Sequence, residues 1–245
     1  MNRKLLTDIE LRARWNRERP ARIRIERDTM LTPAARDFVR EHGIELCCEE
    51  SMTVVPAPQT GGRYVLAETG KATDQKPEEM THLRGNLLVP KVHPQIAFRG
   101  QLDSLMADML CLQKQALAEH EEDAAAALGE LLAFVREILS AEVREEPVRP
   151  VRLFGLDSGQ IRAASQDVQR AFGIRHPIPD VSMSALCLEL NRLRTRVRET
   201  ELAAARAFYD EGKFTRTDII EGLNRLSSAV YILFLRQLTG QRERV

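Results

Sequence analysis

The sequence predicts a mainly α-helical protein, built as a five-helix bundle that follows a small N-terminal β-α-β module. Apolar residues recur at helical spacing through most of the chain after residue 94. Prolines and glycines fall between these periodic segments, as expected for the short connections of a bundle. Aromatic residues make up only 5% of the 245 residues, a composition that suits a core of Leu and Ala better than a β-sandwich.

The small module is predicted over residues 1–50. Residues 22–27 alternate apolar and polar side chains, which is typical of a strand. Thr32 followed by Pro33 has the form of a helix N-cap and the first helical position. The helix should end at a glycine just before residues 44–48, which could form a second short strand.

Residues 51–80 are rich in Pro and Gly, and we expect them to form a linker with a mobile loop. The helical bundle is expected over residues 81–245. Each predicted helix has an apolar stripe, for which Leu128, Leu131 and Val135 are an example. The five predicted helices lie at about 96–119, 122–145, 157–172, 182–211 and 216–240.

The charge and the composition exclude several classes of protein. The 36 Lys and Arg residues balance the 36 Asp and Glu residues, and a net charge of zero argues against a protein that binds nucleic acid or anionic membranes. No apolar run approaches the ~18 residues of a membrane span, and no apolar signal core follows the first residues. Two adjacent and two isolated cysteines form a poor disulfide framework. We therefore expect a cytoplasmic protein.

A first candidate for chemistry is the predicted helix that contains Arg194, Arg198 and Glu201. These residues are spaced i, i+4 and i+7, which places them on one helix face. Two guanidinium groups one turn apart can clamp a polyanion such as triphosphate, and the carboxylate can orient an arginine or approach a phosphate-bound magnesium ion. The spacing by itself also fits a solvated face with i, i+4 ion pairs, which is the commoner case.

Two further segments contain candidate binding residues. Asn224, Ser227 and Ser228 lie inside a predicted helix, although Asn and Ser are unfavourable there. Their presence indicates either recognition of a ribose or base, or close helix packing through small residues. Residues 81–94 place hydroxyl and cationic side chains near Gly85 and could meet phosphate, but they contain no Walker-type Gly-x4-Gly-Lys-Ser/Thr motif.

Taken in chain order, residues 81–105, 194–201 and 223–227 resemble segments of the ATP:cobalamin adenosyltransferases of the propanediol-utilisation type. In that family a Thr-Ser-Leu segment leads into His/Asp-Pro-Arg-Ile, a glycine and Asp-Glu-Leu, and the patterns Arg-x3-Arg-x2-Glu and Leu-Asn-Arg-Leu-Ser follow. The matching residues here are Thr81-His82-Leu83, His93-Pro94-Gln95-Ile96, Gly100, Asp103-Ser104-Leu105, then Arg194, Arg198 and Glu201, and residues 223–227.

The chain is more similar still to the ethanolamine-utilisation branch of these enzymes. The shared segments are Lys76-Pro77-Glu78, residues 193–201, residues 223–228 and the N-terminal residues 31–36. The resemblance implies that cob(I)alamin attacks C5′ of ATP to give adenosylcobalamin and triphosphate, which would supply an ethanolamine ammonia-lyase. It implies a mainly helical bundle, with ATP, Mg²⁺ and the corrinoid bound to it.

The resemblance also assigns roles to individual residues. The residues implied in catalysis are Arg194, Arg198, Glu201 and Asp103. The residues implied in binding ATP or the corrinoid are Lys76, Thr81, Lys91, Asn224 and His176. Asp103 is expected to pair with the partner subunit's Arg194 in a homo-oligomer with shared active sites, a trimer or alternatively a dimer.

The family context suggests an ethanolamine microcompartment and a flavin reductase as further partners. The alternative function is a non-catalytic corrinoid carrier or scaffold with the same helical fold. The enzyme is favoured over the carrier because five residues of the family pattern are intact, namely Arg194, Arg198, Glu201, Asn224 and Asp103.

The chain departs from the family at three places. Some members carry His-x11-Cys-Cys-x2-Cys before the position of Lys76, whereas the pair Cys47-Cys48 has no third cysteine nearby; we therefore expect no structural metal. The Thr-Gly-Asp-Lys-Gly loop of the propanediol branch is replaced by residues 75–80, which favours the carrier. In that branch a phenylalanine displaces the lower cobalamin ligand, and His176 is its nearest counterpart in this sequence.

Overall fold

The computed structural model describes residues 5–6, 22–26, 30–42, 44–49 and 62–240. The chain divides into two compact units, Met1–Asp74 and Gln75–Val245. The described residues are mainly α-helical, as predicted, with short strands in both units. None of the described helices is long and apolar enough to cross a membrane.

The first unit contains short strands and one helix. In chain order these are β1 (Leu5–Leu6), β2 (Arg22–Glu26), β3 (Met30–Leu31), α1 (Pro33–Glu41), β4 (Glu45–Glu49), β5 (Tyr64–Leu66) and β6 (Ala72–Thr73). Strand β2 pairs in parallel with β4, β1 pairs in parallel with β3, and β5 and β6 are antiparallel. Helix α1 lies between β2 and β4 in the chain, in the predicted order.

The start of α1 confirms the predicted cap. The Thr32 side chain accepts a hydrogen bond from the backbone N–H of Ala35, and Pro33 occupies the first turn. Ala35 and Phe38 are buried, so the helix packs one apolar face inward. The side chains of Cys47 and Cys48 lie outside the described residues.

Part of the predicted linker has regular structure instead. Strands β5 and β6 form a hairpin, with Tyr64 opposite Thr73. Gly70 closes its turn at a positive φ of 66°, a conformation that favours glycine. A Cβ at Gly62 would lie 2.6 Å from the backbone nitrogen of Thr73, so this position requires glycine because of close backbone approach. Gly62 and Gly70 therefore belong to a folded hairpin and not to a loop.

The second unit is the helical body of the protein. Its strands are β7 (Met80–Arg84), β8 (Leu87–Pro90), β9 (Arg152–Leu153), β10 (Leu156–Asp157), β11 (Tyr209–Asp210) and β12 (Lys213–Phe214). Its helices are α2 (Pro94–Ala118), α3 (Glu122–Arg144), α4 (Ser158–Gln166), α5 (Val168–Phe172), α6 (Ala185–Ala207) and α7 (Thr217–Thr239). Helix α2 packs against α3 and α6, and α6 packs against α7. The four long helices bury apolar stripes in one core, including Phe98, Leu128, Val197 and Phe234.

Two of the predicted helices have different bounds. The segment predicted as one helix over residues 157–172 is two short helices, because the Asp167 side chain accepts the N–H of Arg170 and starts α5 anew. The helix predicted over residues 182–211 begins after the N-cap Ser184 and ends at Ala207. It is followed by the β11–β12 hairpin, whose turn holds Glu211 and Gly212 at positive φ.

A buried ion pair ties the β7–β8 hairpin to the helices. Arg99 on α2 makes two hydrogen bonds to Glu142 on α3, at 2.6 and 3.1 Å, and a third to the backbone carbonyl of Leu83 on β7 at 2.9 Å. Only 2% of the Glu142 side chain is exposed. Because each buried charge is paired and hydrogen-bonded, the geometry offsets the desolvation of both groups. Arg99 therefore holds the hairpin that carries Thr81 against the bundle.

The start of α7 is held by a second polar cluster. Arg216 donates to Asp218, and Asp218 accepts the backbone N–H of Val148 at 2.9 Å. Burial by itself would raise the pKa of the Asp218 carboxyl, but the hydrogen bonds from Arg216 and Val148 keep that pKa below its usual value. The cluster fixes the first turn of α7 and with it the helix face that reaches the candidate site.

Candidate functional site

A cavity of about 380 Å³ opens between α6 and α7. The lining residues of α6 follow helical spacing, and so do those of α7, because each helix turns one face to the cavity. Those on α6 are Arg194, Arg198, Glu201, Leu202 and Ala205, and those on α7 are Ile220, Asn224, Ser227, Ser228 and Tyr231. Ser165 on α4 completes the lining. The two candidate segments of the sequence thus face each other across one space.

Arg194 is oriented at one end of the cavity. Its guanidinium donates to Asn191 Oδ1 at 3.2 Å and lies over the Tyr231 ring, 5.6 Å from the ring centroid. A cation over an aromatic face is attracted to the ring quadrupole. Burial raises the pKa of the Tyr231 phenol, and the charge of Arg194 offsets part of that effect. Arg194 is therefore held in place before any ligand arrives.

Arg198 lies one turn further along α6 and lines the same cavity. Among the described residues it has no hydrogen-bonding or ion-pair partner, and its side chain is exposed. By contrast, Arg192 and Arg196 on other faces of the helix pair with Glu189 and Asp108 respectively. The guanidinium of Arg198 is thus available to an anion that enters the cavity.

Glu201 and Asn224 join the two helices across the cavity. Asn224 Nδ2 donates to Glu201 Oε1 at 3.0 Å. Since Glu201 follows Arg198 by less than one turn, a carboxylate and a carboxamide lie beside the available guanidinium. The arrangement can hold an anion at the arginines and a group with both donors and acceptors at the amide.

His176 lies in the loop after α5 and contacts the cavity wall. Its Nδ1 is 3.0 Å from the Tyr231 hydroxyl, and its Nε2 is 3.4 Å from the carbonyl oxygen of Gln166. Because that carbonyl can only accept, a neutral His176 ring would carry its proton on Nε2 and accept from the Tyr231 hydroxyl at Nδ1. The rings of His176 and Tyr231 are stacked, with centroids 6.1 Å apart. His176 does not line the cavity but is held against a residue that does.

The other four predicted site residues lie elsewhere in this chain. Thr81 is on β7, and Lys91 directly follows β8 at the same end of the hairpin, where its backbone N–H donates to Glu79. Lys76 precedes that hairpin and is exposed. Asp103 is exposed on α2, and among the described residues it forms no ion pair, including none with Arg194. None of the four lines the cavity.

Sequence reasoning missed Tyr231 and the neighbours of Asn224. Tyr231 lies seven residues after Asn224, the spacing that keeps two residues on one helix face, so the pattern contained the signal. A second group of hydrogen bonds lies beside Asn224. Arg225 donates to Asn224 and to Ser158, and Ser158 donates to Glu221. Their proximity depends on how α4 packs on α7, and no local pattern indicates it.

Among the described residues, no group of three or more His, Cys, Asp or Glu side chains is arranged to hold a metal ion. Cys187 is buried and Cys111 is exposed, and both are free thiols. The absence of a structural metal stays a prediction, because the side chains of Cys47 and Cys48 lie outside the described residues.

We expect the purified protein to carry no stoichiometric zinc or iron, and a chelator to leave its melting temperature unchanged. A structural metal contributes directly to folding, so its removal would unfold the protein. Elemental analysis combined with thermal unfolding in EDTA tests this. One tightly bound metal per chain would contradict the prediction, and Cys47→Ser with Cys48→Ser would then show whether these thiols hold it.

The fold is mainly α-helical, and two arginines line the cavity between α6 and α7. Comparison with known families makes this specific. Residues 71–236 match the family model of cobalamin adenosyltransferase. The chain therefore belongs to the cobalamin adenosyltransferase family, and it is an enzyme.

Curated relatives agree over nearly the whole chain. The corrinoid adenosyltransferase EutT of Escherichia coli strain K12 is 30% identical over 252 residues, which cover 96% of this chain and 93% of the relative. The corrinoid adenosyltransferase EutT of Salmonella typhimurium strain LT2 is 29% identical over 246 residues, covering 94% and 91%. No solved structure gives a significant match. The resemblance seen in the sequence motifs is thus confirmed at the level of the family and of its ethanolamine-utilisation branch.

Proposed function

We propose that this enzyme transfers the 5′-deoxyadenosyl group of ATP to cob(I)alamin. The cobalt(I) electron pair attacks C5′ of ATP, a cobalt–carbon bond forms, and the bond from C5′ to the phosphate oxygen breaks. Triphosphate leaves with the electron pair of the broken C5′–O bond, and adenosylcobalamin is the other product. The observation that carries the proposal is the cavity in which the available Arg198 lies beside the Glu201–Asn224 pair.

The two arginines of the cavity would stabilise the leaving triphosphate. Negative charge builds up on the leaving group as the bond breaks, and cations already in position lower the energy of that transition state. Arg194 is held by Asn191 and Tyr231, so little ordering is needed when the phosphates bind. Mg²⁺ would arrive bound to the phosphates of ATP, and the Glu201 carboxylate, which lines the cavity, could assist in holding it.

The remaining cavity residues would position the two substrates. Asn224 would contact the nucleoside, because its carboxamide can both donate and accept. His176 lies behind Tyr231 at the end of the cavity where Arg194 sits, and we assign it to the side that receives the corrinoid. Attack at carbon requires alignment of cobalt, C5′ and the leaving oxygen, so placement of the substrates is itself a large part of the rate enhancement.

We further propose that the active site is shared between subunits of a homo-oligomer, a trimer or alternatively a dimer. Asp103 lies exposed on α2 and does not pair with Arg194 of its own chain. Lys76, Thr81 and Lys91 likewise lie away from the cavity of their own chain. In the shared site Asp103 pairs with the partner subunit's Arg194, and the β7–β8 hairpin approaches the phosphates bound there.

We propose that the enzyme serves ethanolamine utilisation in the cytoplasm, where its product would supply an ethanolamine ammonia-lyase. The support is its similarity to proteins named EutT. A flavin reductase would provide the reduced corrinoid, and a bacterial microcompartment is a candidate location.

The decisive test is an anaerobic assay with ATP, Mg²⁺ and cobalamin kept in the cobalt(I) state by a low-potential reductant. We expect the visible spectrum to change from that of cob(I)alamin to that of adenosylcobalamin, with one triphosphate released per turnover. Omitting ATP is the blank. If the protein binds the corrinoid but no product forms at any ATP concentration, the proposal fails and the chain is a corrinoid carrier.

A further inference from the structure

A chain of hydrogen bonds leads from the cavity to the surface of α4. Arg225 Nη1 donates to Asn224 Oδ1 at 3.0 Å, and Arg225 Nε donates to Ser158 Oγ at 3.1 Å. Ser158, the first residue of α4, donates in turn to Glu221 Oε1 at 2.9 Å. Arg225 is therefore tied at one end to a cavity residue and at the other to a fixed helix start.

This chain determines which way the Asn224 carboxamide points. On the cavity side its Nδ2 donates to Glu201 Oε1 at 3.0 Å, while its Oδ1 accepts from Arg225. A guanidinium can only donate and an ionised carboxylate can only accept. Turning the amide over would therefore place N–H against N–H at Arg225 and oxygen against oxygen at Glu201. Only one of the two orientations of Asn224 is compatible with both neighbours.

Asn224 lines the cavity, and its carboxamide has hydrogen-bonding groups that this network does not use. A carboxamide has two N–H donors and an oxygen with two lone pairs, and the network uses one N–H and one lone pair. One donor and one acceptor therefore remain for a ligand, and they suit a base edge that offers an acceptor next to a donor, such as N1 and the 6-amino group of adenine. Hypoxanthine has a 6-oxo group in place of the 6-amino group, so along the edge formed by positions 6 and 1 it presents acceptor and donor in the opposite order.

We infer that Arg225, held by Ser158 and Glu221, is a positioning residue that fixes the polarity of Asn224 and so selects a 6-amino purine over a 6-oxo purine. The inference rests on the proposed function, since it takes a purine nucleoside triphosphate as the substrate. Arg225 itself does not touch the reacting atoms. Its effect is to prevent the amide from turning to suit the other base.

The test compares ATP with inosine triphosphate, which differs at the base edge and keeps the same ribose and triphosphate. The wild-type enzyme should prefer ATP. In Arg225→Met the ATP-to-ITP ratio of kcat/KM should fall about 10-fold, within the range of discrimination given by one bidentate base contact. Arg225→Lys keeps one donor for Asn224 and should lie between the two. The control Arg192→Met removes an arginine paired with Glu189 on another face of α6 and should leave the ratio unchanged.

The outcomes separate this inference from the proposed function. If the wild-type enzyme forms no adenosylcobalamin from either nucleotide, the proposed function is wrong. If it is active but does not discriminate ATP from ITP, or if Arg225→Met melts normally and keeps the wild-type ratio, the inference is overturned. Should Arg225→Met fail to fold, Ser158→Ala provides the second test, because it removes the link between Arg225 and Glu221. It should lower the ratio in the same direction, and an unchanged ratio overturns the inference.

Discussion

Replacing Arg198 with Ala is expected to reduce kcat/KM for ATP by about 30- to 1000-fold, which corresponds to about 2–4 kcal/mol of transition-state stabilisation for one electrostatic donor. The reason is that Arg198 lines the cavity and among the described residues has no partner to share its charge with. Steady-state kinetics in the anaerobic assay give kcat and KM separately. A fall in kcat identifies a contact made mainly in the transition state, whereas a rise in KM alone identifies uniform binding.

The matched control is Arg192→Ala on the same helix. Arg192 is exposed and paired with Glu189 outside the cavity, and exposed pairs of this kind contribute little to stability. It should retain wild-type kinetics and a wild-type melting temperature. If Arg198→Ala is folded and also retains wild-type kinetics, Arg198 has no part in the active site and the triphosphate binds elsewhere.

The second large effect is expected at the proposed subunit contact. Asp103→Ala should weaken both the oligomer and the activity, because it leaves the partner subunit's Arg194 without its carboxylate. Removing one partner of an ion pair that is buried on assembly typically destabilises the protein by about 3–5 kcal/mol, because the other charge stays buried without a partner. Sedimentation measures the assembly, and the adenosyltransferase assay measures the activity at the same protein concentrations.

Mixing two inactive variants tests whether the site is shared. A mixed oligomer of Asp103→Ala and Arg194→Ala chains contains some junctions with both wild-type residues, so activity should reappear on mixing. The charge-reversed double variant, Asp103→Arg with Arg194→Asp, should recover part of the assembly. An active wild-type monomer, together with no complementation on mixing, would rule out the shared site.

The helices show how far a local pattern extends. The apolar stripes predicted the four long helices to within a few residues, because a helix that packs on a core repeats its buried positions locally. The same rule predicted one helix where α4 and α5 are separate. Ala164, Val168 and Phe172 are all buried at helical spacing, so the stripe continues across the break. The break itself comes from Asp167, whose side chain caps α5.

The short strands were harder to predict. Strands of two or three residues, such as β5 and β6, are too short to show an alternation, and their pairing partner lies several residues away. Residues 62–74 therefore appeared as part of a linker because of Gly62, Gly70 and the prolines on either side of them. Gly62 belongs there for a tertiary reason, the close approach of the Thr73 backbone.

The sequence by itself determined the mainly helical fold, the family and the two helix faces that carry Arg194, Arg198, Glu201 and Asn224. All of these depend on residue type and local spacing. Only the tertiary structure decided that the two faces enclose one cavity, that Tyr231 and His176 stack at its end, and that Arg225 donates to both Asn224 and Ser158. The physical reason is that helical periodicity states which residues share a face, while the pairing of faces depends on how whole helices pack against each other.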